Sequence, residues 1–190
     1  EICFYETTLE PLLEQVAEGR SELGLAVVND HQLPLFTRMG QARELELIPL
    51  DEPRPPFVQV HRAHPLAGQQ QLCCRQLFEY PRLMAPADFF TNLNQAVYED
   101  MKRPAHLPRR TIVANSYHTI LRMLRNTSGY MIGNCWQQEE LAASGIRSLH
   151  LTDAPVRLNL VLVRRQRQEL SGCASQFLED FLRDQNLPQI

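Results

Sequence analysis

With 190 residues, 44% hydrophobic and 22% charged, the chain has the balance of a globular protein built as one large domain or two small lobes. No apolar run approaches the ~18–20 residues of a membrane span, and a net charge of −3 argues against nucleic-acid binding by this chain alone. Five cysteines without a C-x-x-C pair (Cys3, Cys73, Cys74, Cys135, Cys173) fit a reduced, cytoplasmic protein better than a disulfide scaffold or zinc site. Because Glu1 is not a methionine, the chain is expected to be a fragment of a longer protein.

From the start, Ile2–Tyr5 reads as a short buried strand. Thr7 or Thr8 can cap a following helix that tolerates Pro11 in its first turn, with Leu9, Leu12, Leu13, Val16 and Ala17 inward and Gly19 closing it. The run Leu23–Val28 is almost wholly apolar, as a parallel strand covered on both faces would be. That opening predicts a right-handed β-α-β unit. Three prolines interrupt the pattern between Asp51 and Pro56. Phe57–His61 then resumes as a strand, His64–Gly68 as a turn, Leu72–Tyr80 as a short helix, Arg82–Ala85 as a strand and Phe90–Met101 as a helix.

The stretch Thr111–Trp136 holds a complete β-α-β unit. A strand, Thr111–Ala114, runs into Asn115-Ser116, where Ser116 can cap a helix. Tyr117, Ile120, Leu121 and Leu124 fall at i, i+3, i+4 and i+7, and Gly129 offers a left-handed stop before the strand at Tyr130. Such a unit leaves backbone N–H groups free at the strand's carboxyl end, where open α/β sheets bind small ligands. Beyond it come a helix over Gln137–Ser144, strands Ile146–Leu151 and Val156–Val163, and a helix capped by Ser171 whose stripe is Ala174, Phe177, Leu178, Phe181 and Leu182. The proline-marked breaks near Pro53–Pro56 and Pro155, each followed by a strand, predict two lobes joined by two crossing segments. Residues 1–61 and 156–190 form lobe I, and residues 62–155 form lobe II.

Other chemistry finds little footing. His61 and His64 are three apart on a strand and turn with no third ligand nearby, so no metal is expected. The run Arg164–Arg167 at a strand exit reads as a solvated turn. No nucleophile elbow, P-loop or dinucleotide fingerprint is present. A catalytic reading would have to bring Cys135 together with His118 or His150 by folding alone, so no catalytic residue and no cofactor is assigned.

Several stretches match a known pattern. LLEQVAEGRSELGLAV resembles the helix-strand segment "l-x-x-G-x-x-D-l-a-i" of LysR-type transcriptional regulators. VQVHRAHPLAG resembles their strand ending in "HPLA", and Tyr80-Pro81-Arg82-Leu83-Met84 their "yP-l-i". TIVANSYHTILRMLRNTSGYMIG and VRLNLVLVRRQRQELSGCASQFLEDFL resemble the later strand-helix-strand and closing strand-helix of the effector-binding domain. Glu22 stands where the family usually has Asp, and Gly129-Tyr130-Met131 replaces its Gly-x-Gly.

The resemblance implies an α/β fold of two lobes, each a mostly parallel sheet flanked by helices, like the type 2 periplasmic binding proteins. The family's first strand and helix, its DNA-binding winged helix-turn-helix and its linker helix are expected to lie outside this chain. It implies a non-enzymatic, cytoplasmic sensor in which a small effector, a polar or aromatic acid, sits between the lobes. It further implies self-association to a homodimer or tetramer, with DNA contacted only through the separate N-terminal domain and no membrane partner. By position in the family, the effector contacts are Asn29 and Asp30 on one lip, and Ala85, Pro86, Asn115, Ser116, Tyr117, Gly133 and Asn134 on the other. The N-terminus of the helix after Ser116 would favour an anionic group by about 0.3–1 kcal/mol. Two alternatives are a solute-binding receptor of a transport system with the same fold and a small enzyme using Cys135. Cys73-Cys74 is a further candidate for redox sensing.

Overall fold

The computed structural model describes residues 2–86 and 110–188. The described residues divide into two units, the first running to Pro53 and resuming at Leu158, the second holding residues 54–86 and 110–157. In the first unit, α1 (Leu9–Ala17) buries Leu9, Leu13 and Val16 as one stripe and stops at Gly19, whose φ of +76° suits a residue without a Cβ. Ahead of it, Ile2–Tyr5 is not the expected strand. It is irregular and exposed, Phe4 by 73%, because an apolar run becomes a strand only where a neighbour pairs with it. Next come β1 (Leu23–Asn29) and two elements absent from the sequence reading, α2 (Leu33–Gln41) and β2 (Leu45–Pro49). The β-α-β unit therefore forms one step later than expected, from β1, α2 and β2.

The second unit opens with β3 (Phe57–His61), followed by β4 (Gln71–Leu72), one 3-10 turn (Cys74–Leu77), β5 (Arg82–Met84) and β6 (Thr111–Val113). After these come α3 (Tyr117–Asn126), β7 (Tyr130–Gly133), α4 (Gln138–Ala143) and β8 (Ile146–Leu151). The expected helix over Leu72–Tyr80 shrinks to the 3-10 turn, because Leu72 pairs with Leu151 and the Cys74 N–H is taken by the Asp153 carboxylate at 2.9 Å. The expected helix over Phe90–Met101 lies outside the described residues. The strands form one six-stranded sheet in the order β4-β8-β3-β7-β5-β6, in which only β3 runs against the rest. β3 belongs here, not at the end of lobe I as expected from the proline break, because it is hydrogen-bonded to β7 and β8.

The strand alternation divides this sheet into two faces. Val58, Val60, Tyr130, Ile132, Leu149 and Leu151 point into one core, and Met131 and Ile146 join Leu83, Ile120, Leu124 and Leu141 in the other. Gly129 does not take the left-handed stop foreseen for it. Thr127 ends α3 instead, its hydroxyl donating to the Met123 carbonyl at 2.8 Å and accepting the Gly129 N–H at 3.1 Å. Gly129 matters through close approach: a Cβ there would lie 3.0 Å from Leu83. In the HPLA turn, buried His64 accepts the Leu66 N–H on Nδ1 at 3.1 Å, which leaves Nε2–H to donate to the Ser128 carbonyl at 3.0 Å.

The chain returns to the first unit as β9 (Leu158–Arg165) and ends in α5 (Gly172–Asp184). β9 lies between β1 and β2 and runs antiparallel to both. So β1 is not the interior parallel strand its composition implied; among the described residues it pairs with β9 alone. Every residue of β9 from Leu158 to Val163 is buried, so both faces of this strand are covered. Each sheet therefore has a single reversed strand, and it is the one through which the chain enters the unit. Only half of the basic run is the expected solvated turn: Gln166 and Arg167 form an exposed turn, whereas Arg164 and Arg165 close β9 and are half-buried. Arg164 pairs with Glu46 at 2.7 Å, and Arg165 donates to the carbonyls of Val16 and Ser21, tying α1 to β9. Ser171 caps α5, and its backbone N–H and hydroxyl both donate to Glu22, holding that carboxyl below its usual range.

Candidate functional site

Parallel alignment decides what meets at the sheet's edge. β7, β5 and β6 are neighbours running the same way, so their carboxyl ends lie together, and the Ala114 N–H donates to the Met84 carbonyl at 3.0 Å just there. Past β5 come Ala85 and Pro86, both exposed; past β6 come Asn115, Ser116 and Tyr117; β7 ends on Gly133 and leads into Asn134. Every candidate assigned to the second lobe thus sits at one end of one sheet.

The local sequence explains each placement. Ser116 adopts the extended backbone of an N-cap, and its Oγ accepts the Thr119 N–H at 3.4 Å. The first-turn N–H groups of α3 have no partner within the helix, which leaves partial positive charge beside the strand ends. Asn115 is exposed next to them, whereas Tyr117 is half-buried and packs on the cluster of Leu83, Ile120 and Leu124. The side chain of Asn134 accepts the Trp136 N–H at 3.0 Å.

The first unit places its two candidates at the end of β1. Asn29 is fully buried, and its side chain is committed to Gln32: Oδ1 accepts the Gln32 N–H at 3.0 Å while Nδ2 donates to the Gln32 side chain. Asp30 accepts the His31 N–H at 3.1 Å, the turn role open to an Asp in that position. At the opposite end of β1, a cavity of about 640 Å³ opens between the Ile2–Tyr5 segment, α1 and the start of α5. None of the sequence candidates lines it.

One buried polar residue beside these strand ends escaped the sequence reading. Gln59 is 0% exposed in the middle of β3. Its amide lies flat over Gly133, where a Cβ would fall 2.6–2.7 Å from the three amide atoms, and Nε2 donates to the Asn134 carbonyl at 3.5 Å. Its Oε1 has no hydrogen-bond partner among the described residues. The sequence offered no signal beyond a polar residue between Val58 and Val60, and the packing of helices on that face is what buries it.

Elsewhere the chemistry is quiet. Among the described residues no group of three or more His, Cys, Asp and Glu side chains could hold a metal, and no helix is long and apolar enough to cross a membrane. Burial, reinforced by the Asp153 carboxylate, pushes the Cys74 thiol up, so it stays protonated and unreactive.

The family model of the LysR substrate binding domain matches residues 2–186. No curated protein sequence matches the chain. Among solved structures, the effector-binding domain of QuiR in complex with shikimate is 13% identical with a TM-score of 0.64, over 97% of this chain and 81% of that one. The BenM effector-binding domain with its effector benzoate is 14% identical with a TM-score of 0.62, over 98% and 80%. HinK, a LysR family transcriptional regulator from Pseudomonas aeruginosa, is 18% identical with a TM-score of 0.62, over 93% of this chain but only 56% of HinK, so the chain spans little more than half of that regulator. At such identities the structural likeness establishes the fold, and the neighbours are regulators, not the transport receptors of the alternative reading. With nearly its whole length matched by the family model and its strands arranged in the same fold, this chain belongs to the LysR substrate binding domain family.

Proposed function

We propose that the chain is the sensor of a DNA-binding transcription regulator and takes a small polar or aromatic acid at the strand ends of the second unit. The observation that carries this reading is that Ala85, Asn115 and Asn134 follow the carboxyl ends of three neighbouring parallel strands, on the edge from which Ser116 starts α3, inside a family whose matched members include domains bound to shikimate and benzoate. An acid's carboxylate gains from the N–H groups of the first turn of α3, while Tyr117 and Pro86 supply apolar surface. Asn29 and Asp30 are the proposed contacts of the first unit. Effector binding changes output only by favouring one arrangement of the regulator over another, and a coupling of about 1–3 kcal/mol is enough. Self-association to a homodimer or tetramer, a separate DNA-binding domain, a cytoplasmic location and the absence of any catalytic step complete the reading.

A thermal-shift screen against aromatic acids, hydroxy acids and amino acids tests it. An acid at ~100 times its dissociation constant should add about 2.7 kcal/mol of stability. Replacing Ser116 by tryptophan should leave the fold intact and weaken the hit. A folded Ser116→Trp variant that binds the hit with unchanged affinity would remove this site from consideration.

A further inference from the structure

Gln59 holds a polar group where the sheet alone would favour an apolar one. Val58 and Val60 face one core, so Gln59 faces the other, between Met131 of β7 and Ser148 of β8 in the strand register. That face is otherwise closed by Ile120, Leu124, Leu141 and Ile146. The bond from Nε2 to the Asn134 carbonyl orients the amide and leaves Oε1 as the spare acceptor. Gly133 is the only residue type that admits this arrangement, since any Cβ would occupy the position of the amide. The pair Gln59–Gly133 thus sits directly beneath Asn134, at the strand end where the effector is proposed to bind.

We propose that Gln59 is a specificity-determining residue of that site, its Oε1 accepting a hydrogen bond from a hydroxyl or N–H group carried by the effector in addition to its acidic group. The inference rests on the effector reading and narrows it to a hydroxylated or amino-substituted acid. A ligand that supplies the donor satisfies a buried acceptor left without a partner among the described residues. One that lacks the donor leaves it unmet, which is how a polar site rejects an otherwise similar ligand. Selection then comes from the strand floor and not from the charged helix end, which treats all carboxylates alike.

The test uses acids that differ by one hydroxyl: benzoate against 3-hydroxybenzoate, and propionate against lactate, titrated calorimetrically into the chain and into Gln59→Met, which keeps the volume and removes the acceptor. The expected result is a preference of about tenfold for the hydroxylated member of at least one pair, lost in Gln59→Met while the plain acid binds within twofold of its original affinity. Gln59→Leu serves as a second variant should Gln59→Met not fold. Equal binding of both members of each pair, or a preference that survives in the variant, would overturn the role of Gln59 and leave the effector reading standing. No binding by any of the four acids to the unsubstituted chain would overturn the acid-sensor reading itself, and this inference with it.

Discussion

β9 and β3 occupy equivalent places, each the one reversed strand of its sheet, yet they are filled on different principles. β9 buries six consecutive residues, and its one fully internal polar side chain, Asn159, has its amide N–H satisfied by the Val28 carbonyl at 3.3 Å. β3 is as deeply buried at Val58, Gln59 and Val60, but it carries an acceptor that no described residue satisfies. The first strand is all cohesion. The second gives up some cohesion to keep a polar group in mid-strand, which is the pattern expected where binding, and not stability alone, has shaped the core.

Substitutions can break or sharpen that contrast. The largest effect is expected in β9, where Leu162→Ala removes a fully buried side chain and should cost about 2–5 kcal/mol, read from the midpoint of urea unfolding. Gly133→Ala should follow at about 1–3 kcal/mol by overpacking against Gln59. Much of that loss should return in the Gly133→Ala/Gln59→Ala double variant, and strict additivity in the cycle would show that the two do not share one space. Next is a pH effect confined to the second unit. Burial holds the His64 pKa below 6.5, so the unfolded chain takes up a proton before the folded one does. Its contribution is therefore complete above pH 6.5 and is lost as pH falls from there through the lowered folded-state value, with a slope of at most about 1.4 kcal/mol per pH unit. Stability of His64→Gln measured over the same range should lack that slope. The smallest effect belongs to Gln59→Met, which should leave ligand-free stability unchanged or raise it by about 1 kcal/mol, whereas truncating the satisfied Asn159 to alanine should lower it.

The strand-end site was written plainly in the chain because its parts are local. Ser116 caps the helix that Tyr117, Ile120 and Leu124 pattern, and the polar turn after Ala114 marks where β6 stops. What the chain hid is non-local. Ile2–Tyr5 has the composition of a strand but no strand beside it, and nothing in four residues states whether a neighbour exists. β2 and α2 are short, with charges and a proline breaking their periodicity, and they hold because Leu45, Phe36 and Val161 pack together. Gln59 was invisible as a site because Phe57-Gln59-His61 looks like the wet face of a strand. Only α3 and α4, placed by distant sequence, turn that face inward. Arg165 was read as solvated for the same reason: the carbonyls it binds are at Val16 and Ser21.

The place of β9 between β1 and β2 also sets an order of events for the growing chain. Among the described residues the two flanking strands do not touch each other, and their shared partner β9 lies far along the chain from both. The described residues of the second unit all precede β9 in the chain, so that unit can condense first, as a domain does on the ribosome. Until β9 is made, β1 and β2 lack the strand that joins them, a state open to misassembly, and its arrival brings both into one sheet in a single step.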